Sequence, residues 1–290
     1  ASGRLHQRAF LIFNGTSVLI LIALGVFTWR ETRMWHDSER LWRHAISSDA
    51  KSSLARMNLG LHLVEQKKLA EAIEQLRVAV QLDPGSYDAH NHLGYALAAQ
   101  GLADEAVQEF RNSIQISPSL PNAYNNLGNA LADGGNLNQA AEQFRLAVGA
   151  APEQADGYYN LARILGKQGN AKDAIENYLL ALGRKPQDPD IHNNLGLLYL
   201  HEQRLDDAEA EFHAVLKVDR AYAKAYFNLG RVQALKGNLD DAVGSFEAAL
   251  RMQPGIAEIH ESLARVLAAK GNKEDALRHY QEALTILKAR

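Results

Sequence analysis

Histidines and closely spaced acidic residues are the side chains of this sequence that could support catalysis or metal binding. His90 and His92 lie two residues apart, so on a helix they point in different directions and cannot chelate one metal ion. Asp188 and Asp190 are also two apart, but the intervening Pro189 is typical of a turn between helices. No glycine-rich phosphate loop is present, and the chain contains no cysteine. The sequence therefore predicts a protein that is not an enzyme and that needs no metal ion or cofactor.

Asparagine recurs at a fixed interval and could bind a peptide. A carboxamide offers one acceptor and two donors, so a row of asparagines can pair with the backbone of an extended chain. The recurring position, which comes every 34 residues, holds Asn58, His92, Asn126, Asn160, Asn194, Asn228 and Ser262. The residue before it adds Asn125, Tyr159, Asn193 and Phe227. Except for Ser262, these are the predicted peptide-binding residues.

The elements that carry these side chains follow from the same 34-residue period. Counting from residue 53, the chain divides into seven repeats, residues 53–86, 87–120, 121–154, 155–188, 189–222, 223–256 and 257–290. Repeat position eight is always glycine or alanine, position twenty is always alanine, and position twenty-four is bulky. Small residues facing a large one are typical of two helices that pack closely. Each repeat is therefore predicted to be an antiparallel helix pair that buries its apolar face against its neighbours.

This pattern resembles the tetratricopeptide repeat over residues 53–290. The resemblance implies an all-α fold, an α-solenoid in which seven helix hairpins form a right-handed superhelix, and a concave face that binds protein or peptide partners. Repeats that clamp the acidic carboxyl terminus of chaperones carry lysine at position five, which is absent here. Arg163, Arg231 and Arg265 at position nine leave some capacity for an acidic ligand, although a solvated charged face is the alternative.

The asparagine row also resembles the asparagine ladder in the repeat domain of the O-linked N-acetylglucosamine transferases, which implies sequence-independent binding of a peptide. A second interpretation stays open at this point. Asparagine is frequent at position six of this repeat, so its recurrence does not by itself indicate a ligand.

An apolar segment precedes the repeats. Residues 9–29 contain no charged side chain and lie between arginines. A helix of this length spans about 31 Å, close to the thickness of the hydrocarbon core of a bilayer. We therefore predict a hydrophobic, membrane-spanning helix within residues 1–30, in preference to a signal peptide or a buried soluble helix. Residues 31–52 are predicted to form a linker and a capping helix, which begins after Asp37 and covers the first repeat.

The orientation and origin of this segment are open. The arginines near it weakly favour a cytoplasmic carboxyl side. The junction that runs from the apolar segment into the first repeat resembles the carboxyl-terminal part of membrane O-mannosyltransferases with tetratricopeptide tails. That resemblance implies repeats on the extracytoplasmic side and a catalytic membrane body before Ala1.

Composition limits the partners. The formal net charge is −3, which argues against a nucleic-acid partner. The leading prediction is a membrane-tethered scaffold that binds protein or peptide segments. A second is a self-assembling subunit, a filament or ring, that associates through its apolar amino-terminal segment and through Tyr280, Leu284 and Leu287 of the last repeat. A third is a non-catalytic tail of a membrane glycosyltransferase.

Overall fold

The computed structural model describes residues 38–289, and this part of the chain contains fifteen α-helices. In chain order the helices are α1 (Ser38–Ser48), α2 (Ser53–Glu65), α3 (Leu69–Leu82), α4 (Tyr87–Ala99), α5 (Ala103–Ile116), α6 (Pro121–Asp133), α7 (Leu137–Ala150), α8 (Ala155–Lys167), α9 (Ala171–Leu182), α10 (Pro189–His201), α11 (Leu205–Val218), α12 (Ala223–Leu235), α13 (Leu239–Met252), α14 (Ala257–Ala269) and α15 (Lys273–Lys288). The predicted all-α repeat fold is confirmed.

The helices form hairpins within two compact units, which divide between Pro118 and Ser119. The first unit contains α1 and the hairpins α2/α3 and α4/α5. The second contains the hairpins α6/α7, α8/α9, α10/α11, α12/α13 and α14/α15. Within each unit, the second helix of a hairpin packs against the first helix of the next hairpin. Each hairpin therefore buries its apolar flank on its neighbour, as a repeat protein requires. The predicted handedness of the stack stays a prediction.

The two helices of a hairpin approach each other at repeat position eight. A Cβ atom placed on Gly128 would lie 2.6 Å from Cε1 of Phe144, and one placed on Gly196 would lie 2.8 Å from Cε1 of Phe212. The phenylalanine rings are buried. The ring at position twenty-four therefore rests directly on the backbone of the first helix, which leaves no room for a side chain at position eight.

Two hairpins depart from this pairing in a matched way. Position eight is Ala162 in α8 and Ala264 in α14, and these hairpins have Tyr178 and Tyr280 at position twenty-four. The hairpins with glycine have leucine or phenylalanine there. A methyl group at position eight thus accompanies a tyrosine in this chain.

Two residues after the end of each first helix lies a residue with a positive φ angle. Five of these residues are glycines, but Lys67 has a φ of 61° and Gln203 a φ of 59° at the same repeat position. The amide of the following residue donates a hydrogen bond to the carbonyl oxygen five residues earlier, as from Lys68 to Leu63 and from Arg204 to Tyr199. The backbone geometry is therefore shared by all seven hairpins even where the glycine is absent.

Helix α1 covers the first hairpin. Its Trp42 and Ile46 pack against a buried cluster that includes Leu59 and Leu63 of α2. The proposed cap residue Asp37 and the apolar segment 9–29 lie outside the described residues. Across residues 38–289, no helix combines the length and the apolar character needed to cross a bilayer.

The close approach at position eight leads to a test. Gly196→Ala should lower the free energy of unfolding by about 1–3 kcal/mol, because the new methyl group would overlap the ring of Phe212. Gly166→Ala is the control, since a Cβ there has its nearest neighbours 4.0 Å away and should raise stability by about 0.5–1 kcal/mol. Chemical denaturation followed by circular dichroism compares the two. Equal midpoints for both variants would contradict this account of position eight.

Candidate functional site

The first helices of the hairpins form one continuous surface in the second unit. Helices α6, α8, α10, α12 and α14 each contact the next first helix in this series, whereas within residues 119–289 no second helix contacts another second helix. The first helices therefore lie on the inner side of the curve of this unit. We call the surface formed by their positions five, six and nine the inner face.

Four of the predicted peptide-binding residues of this unit are buried and serve to join hairpins. Asn160 donates from Nδ2 to Oδ1 of Asn125 at 3.4 Å, and Asn228 donates in the same way to Asn193 at 3.2 Å. The four residues are 5–9% exposed. Each pair links position six of one hairpin to position five of the hairpin before it. These carboxamides hold adjacent repeats in register, and little of their surface is exposed to a ligand.

A tyrosine takes the same role in one hairpin. Asn194 donates from Nδ2 to the hydroxyl oxygen of Tyr159 at 2.8 Å, again from position six to the preceding position five. Tyr159 also lies against the ring of Tyr178, with 6.1 Å between the centroids. Asn126, Tyr159, Asn194 and Phe227 are half-buried. They are the predicted residues of this unit that present part of their surface to solvent.

Arginines at position nine lie beside the carboxamides. Arg163 donates to Oδ1 of Asn129 at 3.3 Å and to Oδ1 of Asn160 at 3.5 Å, and Arg231 donates to Oδ1 of Asn228 at 3.4 Å. The guanidinium carbon of Arg231 is 5.7 Å from the centroid of the Phe227 ring. The inner face of the second unit therefore combines amide, aromatic and guanidinium groups.

In the first unit, the helices α2 and α4 provide the matching surface. Asn58 and His92 occupy position six and are half-buried. Burial is the main cause that lowers the pKa of His92, so its neutral form is favoured. Tyr95, at position nine, is 51% exposed. This surface combines apolar and polar side chains, and it has no arginine at position nine.

The histidines at position four form hydrogen bonds that join the two helices of their own hairpin. Nδ1 of His90 lies 2.6 Å from Oε2 of Glu109, and Nδ1 of His192 lies 2.5 Å from Oε2 of Glu211. The bond with Glu211 raises the pKa of His192. In each of these bonds the partner lies 19 residues after the histidine. The partners are Glu109, Glu211 and His279. Sequence reasoning missed these partners, although the coincidence of a polar residue at positions four and twenty-three was a usable signal.

No cluster of three or more metal-ligating side chains occurs among residues 38–289. Each position-four histidine also places Nε2 within 3.0–3.2 Å of the carbonyl oxygen of the proline six residues earlier. Both ring nitrogens of these histidines thus have hydrogen-bond partners within the protein. These hydrogen bonds give the position-four histidines a structural role within their hairpins.

The residues predicted to mediate self-association lie on one face of α15. Tyr280 is 38% exposed, Leu284 55% and Leu287 50%, and Leu277 extends the same stripe. The spacing of three and four residues places these side chains in a row along the helix. Their role in association stays a prediction.

The buried asparagine pairs can be tested as a structural device. Asn228→Ala should lower the free energy of unfolding by about 1–3 kcal/mol, because it leaves the buried Oδ1 of Asn193 without its donor. The double variant with Asn193→Ala should cost less than the sum of the single variants. Urea denaturation measures both. Asn122→Ala, at an exposed position of α6, is the control and should change stability by less than about 0.5 kcal/mol; additive losses would contradict the pairing.

Models of known protein families match successive parts of the chain. A tetratricopeptide repeat model matches residues 159–212, 193–255 and 236–289, and a second tetratricopeptide repeat model matches residues 121–154. A further model of the same repeat matches residues 45–101 and 103–135. Together these matches cover most of the chain. No curated protein matches the sequence.

Solved structures show the same fold. A structure of PilF from Pseudomonas aeruginosa is 21% identical, with a TM-score of 0.64, over 73% of this chain and 97% of that one. The chain from the APC/C hetero-tetramer Cut9-Hcn1 is 20% identical, with a TM-score of 0.63, over 86% and 49%. YrrB, described as a repeat protein with an unusual peptide-binding site, is 24% identical, with a TM-score of 0.52, over 63% and 94%.

These comparisons give no support to the predicted link with membrane O-mannosyltransferases, which stays a prediction. The matches to the repeat models extend from residue 45 to residue 289 with two short interruptions, at residue 102 and at residues 155–158. The chain therefore belongs to the tetratricopeptide repeat family, whose members are typically non-catalytic scaffolds that bind proteins or peptides.

Proposed function

We propose that the protein is a scaffold that holds an extended peptide segment of a partner protein along the inner face of its second unit. The observation that carries this proposal is the alignment of half-buried amide and aromatic side chains on consecutive first helices. Asn126, Tyr159, Asn194 and Phe227 lie on four successive first helices of this unit. A surface of this composition suits a peptide, since amides bind the backbone and aromatic rings accept apolar side chains.

The buried asparagines support the binding surface from below. Asn160 and Asn228 connect neighbouring first helices, and each also accepts a hydrogen bond from an arginine of the inner face. Their carboxamides are therefore already paired before any ligand arrives. A surface whose side chains are held in place loses less conformational entropy when it binds. We assign these residues to positioning and the half-buried residues to contact.

The binding proposal is tested with a peptide selected from a phage-displayed random library against the 290-residue chain in nonionic detergent. Alanine at both Asn126 and Asn194 should weaken binding of that peptide by about tenfold, since hydrogen bonds of this kind contribute about 0.5–1.5 kcal/mol each. Alanine at both Gln139 and Gln281, exposed on second helices, is the matched control and should leave the affinity unchanged. Fluorescence anisotropy measures the dissociation constants. Unchanged affinity of the Asn126/Asn194 variant would place the peptide elsewhere.

We further propose that residues 9–29 tether this scaffold to a membrane, with the repeats on the extracytoplasmic side. The support for the tether is the uncharged run of 21 residues between arginines. The support for the side is the resemblance of the junction to membrane O-mannosyltransferases with repeat tails. The apolar run lies outside the described part of the chain, and the junction extends from it into the described residues.

The tether predicts that the 290-residue chain remains in the membrane pellet after an alkaline carbonate wash. Deletion of residues 1–37 should release the repeats into the supernatant, because the apolar run is then absent. Recovery of the whole chain in the supernatant would contradict the tether. Digestion of the repeats by protease added outside intact cells would support the extracytoplasmic side, and protection of the repeats would reverse it.

A further inference from the structure

Building on the peptide-binding function proposed above, we infer that the inner face of the second unit prefers peptides with a carboxylate at about every third residue. The groups that would bind these carboxylates are the guanidiniums of Arg163, Arg231 and Arg265, at repeat position nine. They lie on α8, α12 and α14, of which α12 and α14 are consecutive first helices.

The three guanidiniums are held by neutral partners. Arg163 is bonded to Asn129 and Asn160, and Arg231 to Asn228. Arg265 donates from Nη2 to Oγ of Ser262 at 3.2 Å. Within residues 119–289 no carboxylate lies within ion-pair distance of any of the three. Their positive charge is thus positioned by hydrogen bonds and is not neutralised.

Two lysines of this unit are paired with carboxylates, one with the neighbouring hairpin and one within its own hairpin. Nζ of Lys236 lies 2.7 Å from Oδ1 of Asp206 and 2.6 Å from Oε2 of Glu209. Nζ of Lys185 lies 2.7 Å from Oδ1 of Asp156. At positions five, six and nine of the unit, Glu261 is the one acidic residue against the three arginines. The inner face therefore carries an excess of positive charge in a chain whose formal net charge is −3.

The spacing of the arginines defines the ligand. Packed helices lie about 8–10 Å apart, and an extended chain advances about 3.3 Å per residue. A peptide that crosses the first helices therefore moves to the next hairpin about every three residues. Arg231 and Arg265 are one hairpin apart, and Arg163 is two hairpins before Arg231, so carboxylates at every third residue can meet all three.

A peptide fits this surface better than a nucleic acid does. Carboxamides and half-buried aromatic rings alternate with the arginines, and a guanidinium fork binds a carboxylate through two parallel hydrogen bonds. A nucleic-acid site is expected to carry a denser array of cations that follows the phosphates. The inner face has one arginine on each of three first helices, with Leu197 at position nine of α10.

The test uses fluorescence anisotropy with the 290-residue chain in nonionic detergent and labelled peptides of roughly twelve residues, enough to cross about four hairpins. One peptide carries glutamate at every third residue among serine and alanine. A second has glutamine in place of glutamate, and a third has the same glutamates clustered at one end. The periodic glutamate peptide should bind at least about fivefold more tightly than the other two, and its advantage should decrease at high salt.

Paired variants assign the preference to the inner face. Glutamine at both Arg231 and Arg265 should reduce the affinity for the periodic glutamate peptide about five- to tenfold and that for the glutamine peptide by a clearly smaller factor. Glutamine at both Arg145 and Arg251, exposed on second helices, removes the same charge from another surface and should have no comparable effect.

The outcomes separate this inference from the function on which it rests. If the glutamate and glutamine peptides bind equally, the preference for carboxylates is wrong and the peptide-binding function stands. If neither binds while the library-selected peptide does, the carboxylate preference is again wrong. If no peptide binds, both proposals fail. Tighter binding of a single-stranded oligothymidylate than of the glutamate peptide would also overturn the inference.

Discussion

The structure depends on one close contact, the packing of a bulky side chain at position twenty-four onto a helix backbone at position eight. In four hairpins a phenylalanine ring lies so close to a glycine that a Cβ atom there would come within 2.6–2.8 Å of the ring. This contact sets the distance and angle between the two helices of a hairpin. Within each compact unit the second helix of a hairpin packs on the next first helix, so the same contact determines where the first helices of that unit lie.

A second, polar set of contacts then acts between hairpins. Apolar packing is largely non-directional, so by itself it tolerates a sliding of one first helix along the next. The bonds from position six to the preceding position five, as in Asn228 to Asn193, require a particular register because a buried carboxamide without a partner is costly. The apolar contacts leave the register between neighbouring first helices open, and the polar contacts fix it. These polar contacts lie on the surface that we assign to the ligand.

The sequence predicted the helical repeat well and the roles of individual polar residues less well. The 34-residue period, the small residues at position eight and the bulky residues at position twenty-four are local patterns, and they are sufficient to predict hairpins. The positive φ at Lys67 and Gln203 was not predicted from residue type, because there the turn is imposed by the packing of the flanking helices and not by glycine. The burial of Asn125, Asn160, Asn193 and Asn228 was also missed, since it arises from contacts between residues 35 apart.

The same recurrence of asparagine is therefore compatible with two roles, and the structure separates them by depth. At position six, Asn160 and Asn228 are buried, whereas Asn126 and Asn194 retain partial exposure on neighbouring first helices. The buried members hold Arg163 and Arg231 in place through their Oδ1 atoms. A guanidinium and a neutral amide together carry a net positive charge, whereas a guanidinium and a carboxylate together carry none. By pairing these arginines with amides, the repeats combine a stable hairpin interface with positive charge that is still available to a partner.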